Sequence, residues 1–187
     1  MAAEALANAM TPGLPRPPKV IIFDFDGVIL DSAGLKLRAY PQVYANEDAD
    51  KVSAIIRHAE YHGGITRRVK FEYYEREIFG RSGDAASVDA LCRRYFDIVF
   101  EGVLRCAFID GALELLDRAA GKVRMHVISG TPDGELNEVV RERALARYFV
   151  TVRGAPATKR ERFQQILSEE GCRPAEALAI GDSMTEF

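Results

Sequence analysis

Hydrophobic and polar positions follow two rhythms along this chain. The first opens at Val20-Ile21-Ile22-Phe23, an unbroken apolar run that stops at Asp24 and Asp26, followed by Gly27. Such a run predicts a strand buried on both faces that ends by presenting charge at the carboxyl edge of a parallel sheet. Three similar runs follow. Val123–Ser129 ends in Gly130-Thr131-Pro132, Tyr148–Val152 ends before Gly154, and Ala177–Ile180 ends in Gly181-Asp182. Between them, Ala112–Ala120, Gly134–Ala146 and Arg160–Glu169 carry apolar residues at helical spacing. Strands alternating with helices of this length predict an α/β fold with a doubly wound parallel sheet and right-handed crossovers.

The interval from Ser32 to Cys106 keeps the second rhythm, which is helical throughout. Leu35–Ala45, Ala49–His62, Arg67–Phe79 and Asp84–Leu104 read as helices, punctuated by Gly63-Gly64 and Gly80–Gly83. This predicts a helical domain over 32–106 inserted into a core made of 19–31 and 107–187. The first 18 residues, rich in Ala and Pro, read as a flexible leader without the apolar stretch of a signal peptide. The chain stops five residues after Asp182, where a doubly wound sheet normally continues, so it reads as truncated.

Composition narrows the classes. Of 187 residues 48% are hydrophobic, and 25 basic against 28 acidic residues leave a formal charge of −3, which describes an ordinary globular protein. No basic stripe suggests a nucleic-acid partner, and no run approaches the roughly 20 apolar residues that span a bilayer. Cys92, Cys106 and Cys172 are odd in number and lack a C-x-x-C spacing, so reduced thiols and a cytoplasmic location are expected.

The strand ends carry the chemistry. Two carboxylates two residues apart repel each other, and a divalent cation relieves that repulsion. Ser129, with the backbone N–H groups of Gly130 and Thr131, could hold anionic oxygens at a helix-entry turn. Lys159, at the start of a helix, offers a point charge. Asp182 and Glu186 add hard oxygen ligands of the kind Mg²⁺ prefers.

The set Asp24-Phe25-Asp26-Gly27-Val28, Ser129-Gly130, Lys159 and Gly181-Asp182-Ser183-Met184-Thr185-Glu186 resembles the four motifs of the haloacid dehalogenase (HAD) superfamily. The helical insert after the first motif is similar to the C1-type cap of its phosphoglycolate phosphatase and β-phosphoglucomutase branch. The resemblance implies a Rossmann-like core and a Mg²⁺-dependent phosphatase acting on a small phosphorylated metabolite, a sugar phosphate or a phosphoglycolate-like ester. It also implies roles for the residues. Asp24 is the nucleophile that forms an aspartyl-phosphate, and Asp26 is the general acid and base. Ser129 and Lys159 stabilise the transferring phosphoryl group, and Gly130 and Thr131 bind it. Asp24, the backbone carbonyl of Asp26, Asp182 and Glu186 hold the metal. An acid two positions after the nucleophile suits an alkoxide leaving group, which needs a proton, and not a halide.

Gly64-Ile65-Thr66-Arg67 looks like the substrate-facing loop of the cap, with Arg67 clamping a distal anionic group; the alternative is a helix start with Thr66 as its cap and Arg67 in solvent. Lys36 occupies the hinge position where mutase-like members often carry His, which favours hydrolysis over a phosphosugar mutase. A truncated, catalytically impaired fragment is the remaining alternative. The expected state is a monomer or weak homodimer.

Overall fold

The computed structural model describes residues 17–62 and 65–182. The chain divides into two compact units, one comprising Leu30–Ala107 and the other the segments up to Ile29 and from Phe108 onward. The first holds helices α1 (Ala33–Val43), α2 (Ala49–Tyr61), α3 (Arg67–Tyr73) and α4 (Ala85–Arg105). The second holds strands β1 (Val20–Phe23), β2 (Arg124–Pro132), β3 (Thr151–Ala155) and β4 (Ala177–Ile180), and helices α5 (Ala112–Ala119), α6 (Asp133–Glu142) and α7 (Lys159–Glu169).

The sheet has the order β3-β2-β1-β4 and all its pairings are parallel. This is the α/β Rossmann-like arrangement. All four residues of β1 are buried, because a central strand in a sheet covered on both faces has no solvent side. Val20, Ile22 and Ile128 pack with Ile166 and Leu167 of α7 and with Cys172. Phe23 meets Phe149 edge-on at 6.2 Å. Phe23 lies opposite Val127 of β2 and Ile180 of β4. That register brings the residues following all three strands to one edge.

Three elements depart from the sequence pattern. β2 does not stop at Ser129; it runs to Pro132, and its register against β3 shifts between Ile128 and Pro132. The third strand starts at Thr151, not Tyr148, because Ala146–Tyr148 closes a 3₁₀ turn that buries the Tyr148 ring. The helix expected over Arg67–Phe79 changes pitch after Tyr73. Tyr74–Ile78 is a π-helical turn, in which the Phe79 N–H donates to the Tyr74 carbonyl at 3.0 Å.

His126 is wholly buried in the middle of β2. Its Nδ1 pairs with Thr151 Oγ1 at 2.8 Å, while Nε2 lies 3.2 Å from Glu170 Oε1 without the alignment of a hydrogen bond. Burial lowers its pKa, and Glu170 is committed to Arg124 at 2.9 Å.

The helical unit is built around aromatic rings. Tyr40 packs against Tyr95 at 5.0 Å, Phe71 at 5.7 Å and Tyr74 at 5.8 Å. Charged groups enter this core. Glu75 accepts from Tyr44 Oη at 3.2 Å, and Lys70 Nζ donates to the Ala59 carbonyl at 3.2 Å, in the last turn of α2. Burial pushes the Lys70 ammonium down to about 8.

Lys70 therefore makes stability depend on pH in the alkaline range. The unfolded chain keeps this proton up to about pH 10.5 and the folded chain loses it near 8, so unfolding takes up a proton in between and stability rises with pH. Chemical denaturation of the wild type and Lys70→Met should show the stability difference shifting toward the wild type by about 2 kcal/mol between pH 8 and 10. A constant difference would mean that Lys70 is solvated.

Candidate active site

The site grows from the end of β1. The Asp24 N–H still belongs to the sheet and donates to the Ile180 carbonyl at 2.8 Å. Its side chain is almost fully buried, with Oδ1 accepting the Phe25 N–H at 2.7 Å and Oδ2 lying 2.9 Å from Lys159 Nζ. Lys159 is the first residue of α7, and the helix start is held by a capping box. Thr158 Oγ1 accepts the Glu161 N–H at 3.2 Å and Glu161 Oε2 accepts the Thr158 N–H at 2.7 Å. The lysine therefore projects from a fixed helix start. A buried carboxylate needs a positive partner, and this ion pair supplies one.

Past Asp24 the chain turns, with Gly27 at φ 77°, a conformation that glycine adopts without a Cβ penalty. Asp26 sits just before this turn, at an isolated backbone bridge. Its Oδ2 accepts Thr131 Oγ1 at 3.1 Å and lies 3.5 Å from Ser129 Oγ, while Ser129 Oγ accepts the Thr131 N–H at 3.1 Å. Ser129 and Thr131 thus meet Asp26 from within β2, at its register shift, and not from the helix-entry turn expected from the sequence. Gly130 lies between them, half-buried.

Gly154 was read from the sequence as punctuation only. A Cβ on it would stand 2.3 Å from the Thr131 carbonyl oxygen and 2.7 Å from Asp133 Cα, and its N–H donates to Asp133 Oδ1 at 2.8 Å. The close approach of β3 to the crook of β2 requires glycine there. A Gly at the end of an apolar run was the available signal; what it approaches was not visible.

Asp182 follows β4 by two residues. Desolvation and then the Asp24 carboxylate raise its pKa, with Asp26 adding to the rise and Lys159 opposing it. Three carboxylates therefore share one edge with one ammonium, an excess of negative charge that a divalent cation would offset. Among the described residues no three acidic, His or Cys side chains converge on one point. The donors that fit a hard cation are the Asp24 and Asp182 carboxylates and the Asp26 main-chain carbonyl, with water completing the shell, a habit of Mg²⁺. Glu186 lies outside the described residues, as does Gly64.

Arg67 is placed in the helical unit. It opens α3, is buried, stacks its guanidinium 4.9 Å above the Tyr95 ring and donates to the Cys92 carbonyl at 3.3 Å. The alternative that Arg67 stands in solvent behind a Thr66 cap is corrected by this burial, and Thr66 makes no side-chain capping bond. In the same unit His58 stacks on Tyr73 at 4.4 Å and reaches Tyr74 Oη at 3.3 Å.

A parallel sheet whose carboxyl edge gathers paired carboxylates, a lysine and hydroxyls defines an α/β enzyme equipped for anionic oxygen chemistry. The family model for haloacid dehalogenase-like hydrolases matches residues 18–186, and the chain belongs to that family. No curated relative matches it in sequence. Among solved structures, CbbY from Rhodobacter sphaeroides in complex with phosphate superposes with a TM-score of 0.68 at 17% identity, covering 89% of this chain and 79% of that one. YfnB from Bacillus subtilis, a HAD-hydrolase bound to magnesium, gives 0.63 at 18%, covering 90% and 82%. A protein from Lactobacillus plantarum described as a phosphoglycolate phosphatase gives 0.66 at 15%, covering 90% and 79%. At these identities the likeness shows the shared fold.

Two measurements test this geometry. Gly154→Ala forces a Cβ into the β2 backbone, so denaturation should show a loss of about 1–3 kcal/mol; unchanged stability would mean that the strands part freely. For Asp182 the folded-state pKa is the higher one, so ionisation at neutral pH costs stability that returns as pH falls through it. Metal-free Asp182→Asn should melt above the wild type at pH 7, with the gap closing in acid. A lower melting temperature at pH 7 would refute the crowding of carboxylates.

Proposed function

We propose that this hydrolase is a Mg²⁺-dependent phosphatase that cleaves small phosphate monoesters through an aspartyl-phosphate on Asp24. The observation that carries the reading is the buried Asp24–Lys159 pair at 2.9 Å, with Asp26 two residues away and held by hydroxyls. Asp24 attacks phosphorus, the P–O bond to the leaving alkoxide breaks, and Asp26 delivers a proton to that oxygen. Asp26 then takes a proton from the water that opens the acyl phosphate, which returns Asp24 as carboxylate and releases inorganic phosphate. Lys159 and Ser129 donate to the equatorial oxygens, where charge accumulates. When bound, Mg²⁺ screens the repulsion between the Asp24 carboxylate and the phosphate dianion.

The substrate class is a sugar phosphate or a phosphoglycolate-like ester. Structural neighbours support it at the level of the fold, since CbbY has been described with phosphate and with xylulose-(1,5)bisphosphate. The magnesium reported in YfnB supports the cation. The location expected for such an activity is the cytoplasm; among the described residues no helix is long and apolar enough to cross a membrane.

Phosphate release from p-nitrophenyl phosphate tests the reading. Turnover should require Mg²⁺, stop with EDTA, and fall at least about 10³-fold in Asp24→Asn. Metal-independent turnover, or a folded Asp24→Asn variant of full activity, would sink it.

A further inference from the structure

Thr131 was expected to bind phosphate through its main chain. In the structure its N–H donates to Ser129 Oγ at 3.1 Å and its hydroxyl donates to Asp26 Oδ2 at 3.1 Å, closer than the 3.5 Å from Ser129. We propose that Thr131 is a positioning residue for Asp26, orienting the acid toward the leaving oxygen, and not a ligand of the phosphate. The inference rests on the phosphatase reading given above.

Three features support this role. Asp26 lies past the end of β1, at an isolated backbone bridge, so its carboxyl gains orientation from side-chain donors. The Thr131 hydroxyl donating to Oδ2, with Ser129 Oγ 3.5 Å from the same oxygen, fixes how the carboxyl is turned. Finally, the Thr131 backbone is placed by the core. Gly154 packs against the Thr131 carbonyl, the Gly154 N–H holds Asp133 Oδ1 at 2.8 Å, and Asn137 Nδ2 ties the Asp133 carbonyl at 2.8 Å. The hydroxyl is therefore set before any ligand arrives, which is how a group that orients a catalytic acid has to be built.

The chemistry supplies a readout that a structural role would not move. In the first half-reaction the Asp24 O–P bond forms, the ester P–O bond breaks, and the Asp26 proton passes to the departing oxygen. An alkoxide needs that proton, whereas p-nitrophenolate leaves without it. Since kcat/KM covers the steps through leaving-group departure, it isolates this event from hydrolysis of the intermediate.

The experiment compares kcat/KM for an alkyl phosphate, glycerol phosphate, and for p-nitrophenyl phosphate with Mg²⁺ in the full chain. Thr131→Val, which exchanges hydroxyl for methyl, should lower the alkyl value about 10–100-fold and the nitrophenyl value much less, with inhibition by inorganic phosphate unchanged. Thr131→Ser should recover most of the loss. In an Asp26→Asn background Thr131→Val should add nothing further. Should Thr131→Val not fold, Thr131→Ala carries the same contrast. Equal losses on both esters with weakened phosphate inhibition would make Thr131 a phosphate ligand and overturn the proposal, as would no loss at all. Failure of the phosphatase reading shows separately, as activity that survives Asp24→Asn.

Discussion

The structure of the sheet unit depends on how a buried carboxylate at the end of a buried strand is compensated. Asp24 sits where β1 leaves the core, too deep for water to solvate it fully. Lys159 answers one oxygen and the Phe25 N–H answers the other. The rest of the edge follows from that arrangement. The capping box of α7 fixes the lysine, the pairing of β1 with β4 delivers Asp182, and the register with β2 delivers Ser129 and Thr131. The outcome is negative charge in excess at this edge, a cost to stability that a divalent cation would offset.

The sheet unit keeps its other polar core contact away from this chemistry. His126 is buried between Thr151 and Glu170, on residues of β2, β3 and the end of α7, and burial lowers its pKa. The helical unit solves a different problem. Its centre is aromatic and holds Arg67, Lys70 and Glu75 against ring faces, hydroxyls and helix carbonyls. Arg67 and Lys70 lie at the start and middle of one short helix, so a reading by charge alone places them in solvent. Long stems beside aromatic faces are what make their burial tolerable.

Much of the fold was legible because periodicity reports burial directly. Val20–Phe23 and Ala177–Ile180 match the observed strands residue for residue, and the all-parallel order follows from the helices between them. The misread elements share one feature. The end of β2, the start of β3 and the π turn after Tyr73 coincide with contacts between segments distant in sequence: Gly154 against Thr131, the buried Tyr148 ring, and Glu75 toward Tyr44. Local hydrophobicity carries no record of such contacts.

The sequence by itself determined the family and the edge at which the chemistry gathers. The types and order of Asp24, Asp26, Ser129, Lys159 and Asp182 relative to four apolar runs admit few arrangements in a right-handed parallel sheet. Tertiary structure decided what each group does once there. It sent the Thr131 hydroxyl to Asp26, made Gly154 obligatory, and buried Arg67 against the ring face of Tyr95. The reason is physical. Strand order follows from patterns along the chain, whereas a hydrogen-bond partner depends on tenths of an ångström between segments that meet only on folding.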